Sequence, residues 1–336
     1  ILTIPALFIA ILSPIAGFII DNYGRRKTLI ISLLLYAVAG TSGLYLKDIY
    51  TLLAGRALLG VAVAGTMTTT ITLIGDYFDG TERRRFMGYQ GSFMGLGGVV
   101  FIFLGGVLAD LNWRLPFALY FFSLLIMVMA VKFIYEPDRI QRKTKSFSLK
   151  YLKHAPPRVL LIYFTAFLGF LFFYIVPMEI PFLLNDRTPV SSTIVGLSLG
   201  ISILTGSVIS YHYGKIKKQL SYHAIYAFTF TMMAMGYGII CFAEIYILFL
   251  AGLLLQGLGT GLLMPNSNLW LVNIAPSEIR GRMIGNLSFF VYTGQFLSPV
   301  FFNPLANLAG PQNGFGIIAL IMLVFAASFL MMKVKR

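Results

Sequence analysis

The chain has 336 residues, of which 58% are hydrophobic and only 11% charged; an ordinary water-soluble domain, with about a quarter of its residues charged, is excluded. Its net charge of +14 comes from 26 Lys and Arg against 12 Asp and Glu. Those bases stand in short clusters between long apolar runs rather than on one wettable face, which excludes a nucleic-acid partner as their explanation.

The apolar runs are each about 20 residues long, enough for a helix to cross a hydrocarbon core of roughly 30 Å. Cutting at charged and turn-forming clusters predicts eleven spans: 1–20, 28–46, 50–75, 86–109, 114–135, 158–183, 192–213, 222–242, 246–272, 282–308 and 312–333. The fold class is therefore an all-α, polytopic membrane protein. Counting bases in alternate loops puts 22 of the 26 on one side, from Arg25-Arg26-Lys27 to Lys333, Lys335 and Arg336. The other side holds Lys47, Arg114 and Arg187, and Arg56 falls inside a span. Basic loops resist translocation, so the rich side, with the C-terminus, is expected in the cytoplasm.

Residues 136–157, EPDRIQRKTKSFSLKYLKHAPP, form the longest hydrophilic stretch and read as a linker between bundles at 1–135 and 158–336. An internal repeat supports two bundles. Arg85, Gly88, Gly97 and Phe101-Ile102 recur as Arg282, Gly285, Gly294 and Ser298-Pro299 at an offset of 197. Gly17, Asp21, Gly24, Arg25 and Lys27 are echoed by Ser207, Tyr211, Gly214, Lys215 and Lys217 at an offset of 190. That echo follows the second span of its half whereas the original follows the first, so a further helix is expected ahead of residue 1, which completes six plus six. Thr81-Glu82-Arg83 and Ser277-Glu278-Ile279-Arg280 read as helix N-terminal signals.

The segment Gly17-Phe18-Ile19-Ile20-Asp21-Asn22-Tyr23-Gly24-Arg25-Arg26-Lys27 resembles motif A of the major facilitator superfamily, which joins that family's second and third helices; Asn22 stands where a basic residue is usual. The resemblance covers essentially the whole chain and implies two pseudo-symmetric six-helix bundles with eleven of twelve helices present. It also implies that Asp21, Arg25 and Asp76 form a gate-side charge network, with the helix start near Gly281 offering a positive dipole end to Asp21. Gly17 and Gly24 would permit close packing and a tight turn.

Arg56 and Gly60 look like the family's motif B. An arginine within a span costs about 2.5–3.5 kcal/mol on insertion scales, so it faces a partner or wet cavity, or else snorkels to the outer surface. Glu179 is the only acid inside a predicted span, at a depth similar to that of Arg56. It reads either as a protonatable coupling group or as an acid near the headgroups, and Pro177 and Pro181 beside it favour a bend. Gly88, Gly97, Gly105 and Gly106 match the spacing of motif C, associated with antiporters, but Phe101-Ile102 replaces its Gly-Pro.

Gln256, Thr260, Leu263, Ser267 and Trp270 recur on one helical face, a cavity wall or ordinary packing, and Phe172 lies on the face that carries Glu179. Threonines 66, 68, 69, 70 and 72 cover more than one face, so some must bond back to their own helix. The lone Cys241 and the spacing of His154, His212 and His223 point to no metal site. No phosphate-binding loop is present and no cofactor is expected.

The resemblance implies a secondary transporter rather than an enzyme. It most resembles the drug:proton antiporter branch, exporting small amphipathic or cationic compounds as a monomer of the bacterial inner membrane. Its partners would be a small-molecule substrate, protons and the bilayer. A proton-coupled metabolite importer and a non-transporting receptor or scaffold are the alternatives.

Overall fold

The computed structural model describes residues 4–46, 48–137, 156–187 and 192–332. The described residues form the helices α1 (Ile4–Tyr23), α2 (Arg25–Thr41), α3 (Ile49–Tyr77), α4 (Gly80–Leu111), α5 (Phe122–Phe133), α6 (Pro157–Phe173), α7 (Ile175–Arg187), α8 (Ser192–Tyr211), α9 (Tyr213–Gln219), α10 (Tyr222–Phe242), α11 (Tyr246–Ile274), α12 (Arg280–Ala309) and α13 (Pro311–Met331). A 3₁₀ segment, Leu115–Phe121, leads into α5. Most of the expected linker lies outside the described residues.

Ten helical stretches among the described residues are long and apolar enough to cross a membrane. They correspond to ten of the eleven predicted spans. The eleventh, 282–308, is the 30-residue helix α12, whose Arg280, Arg282, Asn286 and Gln295 make it polar for its length. The span predicted over 158–183 is broken at Tyr174 into α6 and α7. Pro177 explains the break, because it removes a backbone donor and its ring crowds the preceding turn.

Helix starts follow local chemistry. Asp48 caps α3 by accepting the amides of Tyr50 and Thr51 at 3.0 and 3.1 Å, and Ser221 caps α10 through the Ala224 amide at 3.1 Å. The signal at Thr81 is displaced by two residues, since α4 begins after Asp79 without a side-chain cap. Within α3, Thr66, Thr69, Thr70 and Thr72 each donate to the carbonyl four residues back at 2.7–2.9 Å, the back-bonding that the threonine cluster predicted.

The chain divides into two compact units. The first comprises Ile1–Asp79, Val100–Thr165 and Leu271–Thr293. Here α3 packs against α1 and α2, and α2 against α5. One apolar cluster joins Leu29, Leu33, Leu73 and Ala130, and another joins Ile9, Ala16 and Ala64. Tyr163 donates to the Met283 carbonyl at 3.0 Å and stacks on Phe290 at 5.2 Å.

The second unit comprises Gly80–Val99, Ala166–Trp270 and Gly294–Arg336. In it α10 packs along α13, where Phe230 lies parallel to Phe329 and Tyr237 meets Phe315 edge-on. Small residues let backbones touch: a Cβ on Gly236 or Gly252 would overlap the other helix of the α10–α11 pair, and one on Gly257 would overlap Ser202 of α8. Large apolar side chains such as Phe93, Phe103, Val324 and Leu330 are exposed, which suits contact with lipid rather than water.

Candidate functional site

The densest polar cluster in the first unit gathers at the junction of α1 and α2. Gly24 turns the chain there with φ of 109°, a left-handed conformation that favours glycine. The turn leaves Asp21 in the last turn of α1 and Arg25 as the first residue of α2, and the Arg25 side chain is fully buried.

Arg25 uses its whole fork. Its Nε donates to Asp76 Oδ2 at 2.9 Å, one Nη to the Ile20 carbonyl at 2.9 Å and the other to the Ser277 carbonyl at 3.1 Å. It also pairs with Asp21 at 3.3 Å. Asp76 is shared with Arg280, which donates in addition to the Gly75 carbonyl at 2.9 Å.

Asp21 in turn accepts the backbone amides of Gly281 and Arg282 at 3.0 and 2.9 Å. These are first-turn amides of α12, groups that a helix leaves without internal acceptors and that carry its positive dipole end. The Arg282 side chain adds an ion pair to Asp21 at 3.6 Å. Close helix approach makes this possible: a Cβ on Gly17 would overlap the Gly281 carbonyl, and one on Gly285 would overlap that of Ser13. Two carboxylates and three guanidinium groups thus tie α1, α2 and α3 to the start of α12. In a buried cluster of this kind the members depend on one another, because removing one strands the others away from water.

The structure therefore brings Gly17, Asp21, Gly24, Arg25 and Asp76 together. Sequence reasoning missed Arg280 as a cluster member, and it missed Glu136. The Glu136 carboxylate accepts the amides of Arg25 and Arg26 at 2.8 and 2.9 Å, so it caps α2 from the far end of the fifth span. An acid directly after that span, facing the basic loop, is the only signal the sequence carries.

Arg56 lies elsewhere in the same unit, with aromatic partners. Its guanidinium sits 4.7 Å from the Phe117 ring centroid and donates to the Tyr120 hydroxyl at 3.3 Å. Tyr120 packs on Tyr36 at 5.3 Å, and Gly40 and Gly43 make room for the rings of Tyr120 and Phe117. Gly60 is buried one turn along α3.

In the second unit, Glu179 is half-buried on α7 between the two prolines. The α11 face has protein neighbours. Gln256 accepts a hydrogen bond from Ser202, and Thr260 donates back to the Gln256 carbonyl at 3.1 Å. Leu263 lies against Gly169, Ser267 bonds the Tyr226 hydroxyl at 2.8 Å, and Trp270 stacks on Tyr222 at 4.9 Å. Phe172 is buried against Phe301.

The α4 glycines divide by environment. Gly88 touches α8, where Ser210 donates to its carbonyl at 3.1 Å, and Gly91 and Gly95 face Ser210 and Ser207. A Cβ on Gly97 would meet nothing within 4 Å, and one on Gly105 only Leu119; Gly106 is one residue further along α4.

The family model described as the Major Facilitator Superfamily matches residues 1–230 and 162–336. Multidrug resistance protein 1 of Bacillus subtilis (strain 168) is 31% identical over 132 residues, 38% of this chain, which spans about a third of that relative's length. Tetracycline resistance protein, class G, of Vibrio anguillarum is 28% identical over 93% of this chain and 81% of its own. Among solved structures, the human organic anion transporter MFSD10 superposes with a TM-score of 0.86 at 18% identity, covering 97% of this chain and 83% of its own.

Proposed function

Because the chain belongs to the Major Facilitator Superfamily, and is thus an integral, multi-pass membrane protein of a transporter family, we propose that it is a proton-coupled exporter of small amphipathic or cationic compounds. The observation that carries this reading is the likeness, over 93% of the chain, to a protein named for tetracycline resistance. The two bundles are residues 1–135 and 158–336, joined by 136–157, and they alternate access to a site near the bilayer midplane. The protein works as a monomer in a bacterial inner membrane, with its basic loops and C-terminus in the cytoplasm.

In this reading the cluster around Arg25 is a gate on the basic side. It closes when Asp21 seats on the amides of Gly281 and Arg282 and opens when those contacts part together. Glu179 exchanges the coupled proton, and Arg56, held over an aromatic ring, supplies a fixed positive charge on the pathway. Phe172 and the α11 side chains Gln256, Thr260, Leu263, Ser267 and Trp270 shape the substrate site, partly by packing it. Of the motif C glycines, Gly88 acts as a pivot against α8, while Gly97 and Gly105 leave α4 free to approach a moving neighbour.

A second reading, import by symport, draws on Phe101-Ile102 standing in place of the Gly-Pro of motif C. Everted vesicles carrying wild type or Glu179→Gln test the coupling. Export predicts that a lipophilic cation collapses an imposed pH gradient with the wild type and fails to do so with the variant. Collapse that survives the substitution removes Glu179 from the proton path.

A further inference from the structure

The internal repeat pairs Asp21 with Tyr211, Arg25 with Lys215 and Arg282 with Arg85. At the first copy, the acid satisfies both the cations and the helix amides. At the second copy the cations persist and the acid does not.

What stands there, wholly within the second unit, is an open cavity of about 410 Å³ with no carboxylate among the described residues that line it. Three cations line it, Arg85, Lys215 and Lys218, together with the rings of Tyr89, Tyr211 and His212, and Thr81 adds a hydroxyl at its rim. The wall is built rather than incidental. Tyr89 stacks on Tyr211 at 5.0 Å, and the Arg85 guanidinium lies 5.2 Å from the Tyr89 centroid while donating to its hydroxyl. Gly214 brings the start of α9 close to the Arg85 backbone, where a Cβ would come within 3.2 Å.

We propose that this cavity binds the phosphate of an anionic phospholipid headgroup, in the place that the Asp21 carboxylate fills in the first copy. A fork-shaped guanidinium and two flexible ammonium groups match phosphate oxygens. Lipid, rather than dissolved phosphate, is the fitting source because the cavity opens where two spans end: α8 closes at Tyr211 and α4 starts at Gly80. Paired tyrosines are characteristic of that level of a bilayer. The half-exposed Tyr211 and the exposed Val208 one turn below it offer apolar surface to the first carbons of an acyl chain. Basic pockets between spanning helices on the cytoplasmic side hold anionic headgroups by the same chemistry.

The test uses the purified protein in phosphatidylcholine nanodiscs, titrated with phosphatidylglycerol, with melting temperature and retained lipid by native mass spectrometry as readouts. Wild type should melt higher with phosphatidylglycerol and retain one molecule. Arg85→Gln, Lys215→Gln and the exposed Lys218→Gln should each weaken retention roughly fivefold. Tyr211→Asp, which restores the internal acid, should abolish it while the protein still folds and melts cooperatively. Arg114→Gln, a cation stacked on Trp113 and not among the residues that line the cavity, should behave as wild type. Equal stabilisation by millimolar inorganic phosphate in lipid-neutral discs would make free phosphate the ligand and overturn the proposal. Retention unchanged in all three cation variants would overturn it as well.

Discussion

Replacing Arg25 with Met keeps an unbranched apolar stem and deletes the guanidinium with its charge. In the structure this removes ion pairs to Asp76 and Asp21 and takes one donor each from the carbonyls of Ile20 and Ser277, the former keeping the Gly24 amide at 3.3 Å. Removing one partner of a buried pair costs about 3–5 kcal/mol. Two features place the cost at the lower end: Asp76 keeps Arg280, and Asp21 keeps two backbone amides and Arg282. The α1–α12 tie should therefore weaken by about 3 kcal/mol, a shift of roughly a hundredfold in the closed-to-open ratio at 1.4 kcal/mol per decade. A cysteine placed at Ser277 in a Cys241→Ser background reports this through its rate of labelling by an impermeant maleimide. Labelling should be slow in wild type and faster by one to two orders of magnitude with Arg25→Met. Arg25→Lys, which keeps charge but loses the planar fork, should fall between them. Equal labelling rates in wild type and Arg25→Met, with equal melting temperatures, would refute the claim that this cluster holds the helices together.

Gly17→Ala should destabilise by about 1–3 kcal/mol, because its Cβ meets the backbone of Gly281 and Arg282 and no side chain can yield; a thermal melt in detergent checks it. Glu136→Gln retains one acceptor for the α2 amides and loses the charge, so about 1 kcal/mol should go, read by the same melt. Tyr120→Phe removes a long hydrogen bond at 3.3 Å and should cost about 0.5 kcal/mol. Phe117→Leu, which removes the ring under Arg56, should cost about 0.5–1 kcal/mol from the cation–π contact plus the packing it loses.

What the sequence made legible follows physical range. Span positions are written locally in run length, and even the polar helix α12 could be placed by cutting the chain at its charged and turn-forming clusters. The break at Tyr174 was foreshadowed by Pro177, and the back-bonded threonines by their crowding on several faces. The cluster around Arg25 was legible to the extent that a motif encodes it, from Gly17 to Arg25. Glu136 and Arg280 join it from 111 and 204 residues away from their partners, and nothing in their local spacing records those contacts. On α11 the periodicity carried no information on what covers these side chains, namely Ser202, Gly169, Tyr226 and Tyr222. The same limit explains Gly91 and Gly95, whose partners Ser210 and Ser207 are 119 and 112 positions away along the chain.

The proposed exchange is directional, substrate out against protons in, and is read as flux in proteoliposomes. With protein reconstituted at known orientation, a pH gradient is imposed and a labelled lipophilic cation is followed together with an internal pH dye. Substrate and protons should move in opposite directions with linked rates, and Glu179→Gln should uncouple them. Substrate and protons moving in the same direction would contradict export and establish the importer reading, and a gradient unaffected by any compound would contradict transport coupling altogether.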